Sequence, residues 1–281
     1  MVLFLTTYAI SLSLQWAEVV APPAPKPDAV VAKVDGQPIL ASEVEAYLWQ
    51  WRGAEVVQDL IEYRIISAEA KTKGVKLDMA RVRSEVEGAM KDYAASRGVA
   101  DPTEALLQDG FTRSRIQMRV MRQLMLEEIA LKEFDPKEWV KISAITFKPD
   151  AAMTLEKCLA KASEAYKLLS KGEKWGSVIA TSTTNPQVVQ SEGFVGWRRM
   201  KLFPEATQAE FKTLKRAGFS KPVQTTSGVQ IFRVDGKGWE APEAEITELR
   251  NLYIQGRSGD LANELRKKAK VENYKPPVEK P

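Results

Sequence analysis

The apolar positions of this chain change period twice, and the changes divide it. "AVVAKVDGQPIL" alternates on both sides of Asp35-Gly36, which predicts a short hairpin turning at that dipeptide. Helical spacing then takes over. Val44, Tyr47, Leu48 and Trp51 fall on one stripe behind a Ser42…Glu45 capping box. Val57, Leu60, Ile61, Ile65 and Ala68 form the next stripe, which stops near Gly74. Another, Val82, Val86, Ala89, Met90 and Tyr93, starts behind Asp78 and stops at Gly98. Asp101-Pro102 with Glu104 opens a short helix closed by Gly110, and a longer helix runs from Thr112 towards Phe134.

At Asp135-Pro136 the pattern changes. "WVKISAITF" alternates as a strand does, and a helix is expected over about 154–171. On that helix the stripe Leu155, Leu159, Ala162, Tyr166 and Leu169 includes Cys158, the single cysteine, which reads as an inert core thiol. "EKWGSVIA" suggests a further helix, "TSTTNPQVVQSEG" a polar loop, "FVGW" a short strand, and residues 205–217 another helix. "PVQTTSGVQIFRVDGKG" then reads as strand, turn, strand. Strand alternation puts Gln230 on a face with Phe232 and Val234, and puts Val229, Ile231 and Arg233 on the other. Beyond Gly238 helical spacing returns through Ile246, Leu249, Leu252, Tyr253, Leu261 and Leu265. The fold class is α+β: a helical N-terminal domain completed by the C-terminal helix, with a compact sheet-and-helix unit inserted between them.

The ends and the composition add constraints. Residues 2–17 carry no charge but are short for a membrane span, which needs about 20 residues. They suit the core of a secretory signal, with Ala17 or Ala21 as cleavage points, although no Lys or Arg precedes them. "PPAPKPD" at 22–28 reads as a stiff linker. A net charge of +4 is too mild to imply nucleic acid, and the basic runs "WRRMK" and "RKKAK" accompany no nucleic-acid module. The histidine count is zero. That excludes a Ser-His-Asp triad and imidazole-ligated metals, and one cysteine excludes both thiolate zinc sites and an intrachain disulfide. No metal or cofactor is expected.

Several stretches carry a resemblance. "VAKVDGQPILASEV", "LIEYRIISAEAKTKGVKL" and "ELRNLYIQGRSGDLANELRKKAKVENY" resemble the helical chaperone domain of the secreted parvulin-type foldases, the family of SurA and PrsA. Between them "VKISAITF", "LLSKGEKWGSVIATSTTNP", "SEGFVGW" and "AGFSKPVQTTSGVQIFRV" are similar, in order and spacing, to the parvulin prolyl-isomerase domain. The likeness covers about residues 30–275. It implies an apolar N-terminal segment or signal peptide over 1–21, a Pro-rich linker over 22–32 and a SurA/PrsA-like helical domain over 33–138. A parvulin-like domain with a four-stranded sheet follows over 139–239, and a C-terminal helix and tail over 240–281.

The departures bear on function. The family's histidine in the first strand is Ala144 here, and its histidine after the Ser-Gly turn is Gln230. The acidic or cysteine position in the loop before the Gly-Gly pair falls at Ser182 or Asn185. Thr225 and Ser227 match hydroxyl positions beside the second histidine, and Val195, Met200 and Phe203 correspond to the prolyl-ring pocket. Rotation about an X-Pro bond makes and breaks no covalent bond, so losing both histidines does not forbid activity. Gln230, Thr225 and Ser227 are the catalytic candidates, with Gln230 closing a polar network with Thr225 or Ser227; the alternative is that Gln230 is a structural replacement that satisfies buried partners. Met118, Met121 and Met125, with Trp49 and Trp51, are candidates for client contact, because flexible methionines re-pack against varied surfaces.

The resemblance therefore implies an exported, ATP-independent folding chaperone of periplasm or cell envelope. It would bind unfolded or partly folded polypeptides and retain weak or no isomerase activity, with any membrane association only through an uncleaved N-terminal segment. The alternatives are an active peptidyl-prolyl isomerase with an altered site, and an envelope scaffold that binds one partner through the parvulin groove.

Overall fold

The computed structural model describes residues 24–109 and 111–272; the expected signal segment and Gly110 lie outside them. The described residues fall into two compact units, one running to Lys132 and resuming at Ile254, the other spanning Glu133–Tyr253.

The first unit opens with β1 (Val30–Val34) and β2 (Gln37–Leu40), paired antiparallel. Both turn residues take positive φ, 49° at Asp35 and 81° at Gly36, the geometry whose twist matches a two-residue hairpin. The first strand thus begins inside the 22–32 stretch assigned to a linker. Next comes α1 (Ala41–Thr72), one helix of 32 residues where two stripes predicted two helices. Between Trp51 and Val57 the weakest helix former is Gly53, at a cost of about 1 kcal/mol, too little to break a long helix. The Ser42…Glu45 capping box does not form. Leu40 is the N-cap, without a side-chain cap bond, because the amides of Ala41 and Ser42 donate instead to the carbonyls of Ala29 and Pro27.

The next three helices start where their punctuation says, and the first of them also stops there. α2 (Met79–Arg97) begins with Asp78 accepting from the Ala80 amide at 2.8 Å and ends at left-handed Gly98. α3 (Pro102–Gln108) is followed by α4 (Arg113–Leu131), whose Thr112 cap accepts from the Arg115 amide. Val82, Val86, Met90, Leu106, Met121 and Leu124 form the core between them. This corrects the client-contact expectation for two methionines: Met121 and Met125 are 2% and 0% exposed, and only Met118 is half-buried. The face of α4 that carries them is the one the helix must bury against its own neighbours. The second half of α1 is tied to α4 by ion pairs of Arg115 with Asp59 and Arg122 with Glu62.

In the second unit β3 (Trp139–Phe147) is followed by α5 (Leu155–Ser170), α6 (Trp175–Ser182), α7 (Pro186–Gln190), β4 (Phe194–Arg199), α8 (Glu205–Thr213), β5 (Val223–Thr225) and β6 (Gly228–Lys237). The strands make one antiparallel sheet in the order β4-β3-β6-β5. Two expectations are corrected. The loop 181–193 contains α7, started by Asn185 and Pro186. On α5 the buried set is Cys158, Ala162, Ala165 and Leu169, while Leu155 and Leu159 face outward. Small side chains at the first three positions let that helix lie close on the sheet.

One sheet face, with Ile145, Phe147, Val229 and Ile231, is closed by α5 and α6. The other carries Val140, Ile142, Ala144, Phe232 and Val234 and is covered by Met200 and Phe211. Last comes α9 (Glu243–Lys268), counted with the second unit to Tyr253 and with the first from Ile254, where Leu261 and Leu265 are buried. No helix among the described residues is long and apolar enough to cross a membrane.

Candidate functional site on the four-stranded sheet

Gln230 lies in β6 between the two strands it pairs with, opposite Thr146 of β3 and Val223 of β5. That placement decides its chemistry. Its Nε2 donates to Thr146 Oγ1 at 2.8 Å, and its Oε1 accepts from Thr225 Oγ1 at 2.8 Å. Thr225 has one hydroxyl proton, shared between Gln230 and the Gly228 carbonyl at 3.1 Å, and it accepts from the Ser227 amide at 3.1 Å. The result is a neutral, half-buried chain of three side chains across three adjacent strands. Ser227 enters only through its backbone; the residue itself is exposed. Gly228 makes the turn possible, since with φ 119° an added Cβ would stand 2.3 Å from the Phe147 carbonyl oxygen.

Along the same face the surface turns apolar. Ala144, opposite Phe232, is 5% exposed and offers only a methyl group; its amide donates to the Gly193 carbonyl at 2.9 Å. Met200, Phe211 and Phe232 cluster there, with Val195 and Phe203 partly buried against them. The Phe203 ring meets both Phe211 and Phe232 edge-on, with centroids 5.1 Å apart in each case. Val195, Met200 and Phe203 are thus brought together, beside an apolar floor that ends at the Thr146–Gln230–Thr225 strip. An apolar group held there would meet amide and hydroxyl groups and no ionisable side chain of that strip.

Ser182 and Asn185 are engaged elsewhere. Ser182 Oγ donates back to the Val178 carbonyl at 2.7 Å within α6, and Asn185 Oδ1 accepts from the Gln187 amide at 3.0 Å as the N-cap of α7. Neither is a partner of Gln230 in this network.

Residue spacing missed two features. Thr146 escapes notice because its pairing with Gln230 depends on strand register, which sequence does not state. The second feature is a charged cluster on the opposite face. Arg233 Nε donates to Asp235 Oδ1 at 2.7 Å and its Nη1 to Glu192 Oε2 at 2.9 Å, while Ser143 Oγ donates to Asp235 Oδ2 at 2.6 Å. The guanidinium also stacks over Trp175, 5.1 Å from the ring centre. Burial works against this charge, but the hydrogen bonds to Glu192 and Asp235 outweigh it and hold Arg233 above the usual arginine range. An available signal was the Arg-x-Asp spacing, two charges offset by two positions along a strand. The cluster anchors the turn at Glu192 and Gly193, both at positive φ, whose carbonyl receives the Ala144 amide.

The sheet-and-helix unit is similar to a parvulin-type domain. Residues 145–236 match the Rotamase family, a PPIC-type PPIASE domain. The likeness extends along most of the chain to SurA- and PrsA-like foldases. "Chaperone SurA" of Xylella fastidiosa is 22% identical over 291 residues, covering 88% of this chain and 62% of that protein. "Foldase protein PrsA" of a Geobacillus species is 26% identical over 232 residues, covering 78% of this chain and 79% of its own length. The chain therefore spans somewhat less than two thirds of the SurA that it matches. Among solved structures, PrsA of Bacillus cereus aligns over 89% of this chain and 95% of its own, with 14% identity and a TM-score of 0.47.

Proposed function

We propose that the chain is an exported, ATP-independent folding chaperone that binds unfolded polypeptide, and that its parvulin-like domain has weak or no isomerase activity. The observation that carries the second part is the engagement of Gln230: both ends of its amide are occupied by Thr146 and Thr225, and Ala144 adds only a methyl. A catalyst of X-Pro rotation must lower a barrier of about 18–20 kcal/mol, and a thousandfold acceleration asks for about 4 kcal/mol. A glutamine held at both ends keeps one N–H and one lone pair, but its orientation is fixed by Thr146 and Thr225 and no second polar group stands at Ala144 to work with it. The first part is supported by relatives described as a chaperone and as a foldase, and export follows the same likeness.

Two assays on the purified chain test this. Isomerisation of X-Pro peptides, varying the residue before proline, is expected to run at the spontaneous rate with and without Gln230→Ala. Aggregation of several unrelated unfolded proteins is expected to be suppressed equally by both forms. Acceleration abolished by Gln230→Ala would make the protein an isomerase with an altered site; suppression confined to one partner would make it a scaffold.

A further inference from the structure

We propose that the side of the four-stranded sheet that carries Val195, Met200 and Phe203 selects acidic polypeptide: client segments in which an apolar residue is flanked by Asp or Glu. The positive charge of the chain is concentrated there. From Arg198 to Lys221 the sequence carries seven Lys and Arg against two Glu, a surplus of five, larger than the net +4 of the whole chain. Arg199 is paired with Glu138. The other six, Arg198, Lys201, Lys212, Lys215, Arg216 and Lys221, are exposed and have no carboxylate partner among the described residues.

The fold sets these cations around the apolar floor. At one edge of the sheet β4 runs into a single 3-10 turn, Met200–Leu202. Met200 enters the core, while Lys201 and Leu202, the latter 68% exposed, stay outside. At the far side of β3 the chain after α8 is laid along β6. The amides of Ala217 and Ser220 donate to the Val234 and Phe232 carbonyls at 2.7 and 2.8 Å, and the Val234 amide donates to the Gly218 carbonyl at 2.8 Å. Lys215 and Arg216 lie just before this pairing and Lys221 just after it, beside the strand that supplies Phe232 to the floor. Exposed charges at the border of an apolar contact speed association and choose the partner more than they add affinity. The floor takes an apolar group, and the neutral Thr146–Gln230–Thr225 strip asks for no charge. A nucleic acid would answer the cations and leave the floor unused. A polypeptide with Asp or Glu on either side of a Val, Leu or Pro answers both. This rests on the client-binding reading proposed for the chain and adds which clients it prefers.

Fluorescence anisotropy of labelled peptides titrated with the full chain tests this. Each peptide carries one Val-Pro pair, flanked by Glu, by Gln or by Lys. The Glu peptide is expected to bind about tenfold tighter than the Gln peptide, an advantage that shrinks severalfold between about 50 and 300 mM salt. Lys215→Glu/Arg216→Glu, at two exposed positions, should abolish the preference. Lys161→Glu/Lys171→Glu makes the same change of charge at α5, which closes the other sheet face, and should keep it. Equal binding of the three peptides overturns the inference and leaves the chaperone reading standing. A preference that survives in Lys215→Glu/Arg216→Glu also overturns it, because the acid is then read elsewhere. So does polyglutamate or a single-stranded oligonucleotide that binds as tightly as the Glu peptide, since charge then acts without the apolar floor. If no peptide binds, the inference falls, and suppression of aggregation decides separately whether the chaperone reading falls with it.

Discussion

The two faces of the four-stranded sheet each carry a polar insertion in otherwise apolar surroundings, and they are built differently. On one face Thr146, Gln230 and Thr225 form a neutral chain with one hydrogen bond per junction. On the other Arg233, Asp235, Glu192 and Ser143 form a charged cluster in which one guanidinium bridges two carboxylates. A neutral group can lose a partner at modest cost. A half-buried guanidinium cannot, because desolvation leaves it dependent on the carboxylates that hold it. The charged cluster is therefore expected to be structural, fixing a turn, while the neutral strip stays open to substitution. That contrast predicts which face of the sheet tolerates substitution: the one that carries Gln230.

The largest predicted effect falls where the charged cluster's turn touches the other strand. Gly193 sits at φ 68° with an added Cβ only 2.2 Å from the Ala144 carbonyl oxygen, so Gly193→Ala should destabilise the second unit by more than about 3 kcal/mol. Chemical denaturation followed by tryptophan fluorescence would show it; a loss under 1 kcal/mol would mean that the turn is not fixed. Next, Asp235→Ala should cost about 2–3 kcal/mol, discounted from the value for fully buried pairs because Arg233 retains 20% side-chain exposure. Gln230→Ala should cost less, about 1–2 kcal/mol, since it removes the amide partner of Thr146 while Thr225 keeps the Gly228 carbonyl, and both hydroxyls are only half-buried. If the order of these two losses were reversed, the contrast between the faces would be wrong.

The smallest effect concerns pH. The Arg257 guanidinium, hydrogen-bonded to Glu264, lowers that carboxyl below the usual range. A depressed carboxylate contributes stability that is present above its unfolded pKa of about 4.3 and lost as pH falls through the folded value. Arg233, raised, contributes across the whole range below its unfolded pKa and loses that only in strong alkali. With no histidine in the chain, thermal stability should stay level between about pH 6 and 8. It should then decline on the acid side of pH 4.3, slightly less steeply in Glu264→Gln. A transition near neutrality would contradict this.

Much of the architecture was legible because it is written locally. Asp35-Gly36, Asp78 with Gly98, Thr112 and Thr154 mark element ends through their own backbone or side chains, and the structure places ends there. The capping box at Ser42 misled because the first amides of α1 find carbonyls supplied by the chain before the hairpin, a contact that spacing does not encode. The methionines of α4 misled for a related reason. An apolar stripe shows that a face is covered, not whether a client or a neighbouring helix covers it, and Met121 and Met125 are covered by their own unit. At the sheet, alternation was enough to place Gln230 on the face of Phe232. Its partner Thr146 lies 84 positions away and became visible only with strand register.

Cys158 has a consequence of its own. The only sulfhydryl of the chain lies at 0% exposure on the helix that closes one sheet face. A thiol reagent in solution cannot reach it until α5 lifts, so its labelling rate is a clock for that opening, built into the unmodified protein. Because no second cysteine competes for the reagent, each modified molecule records one excursion of this helix from the sheet.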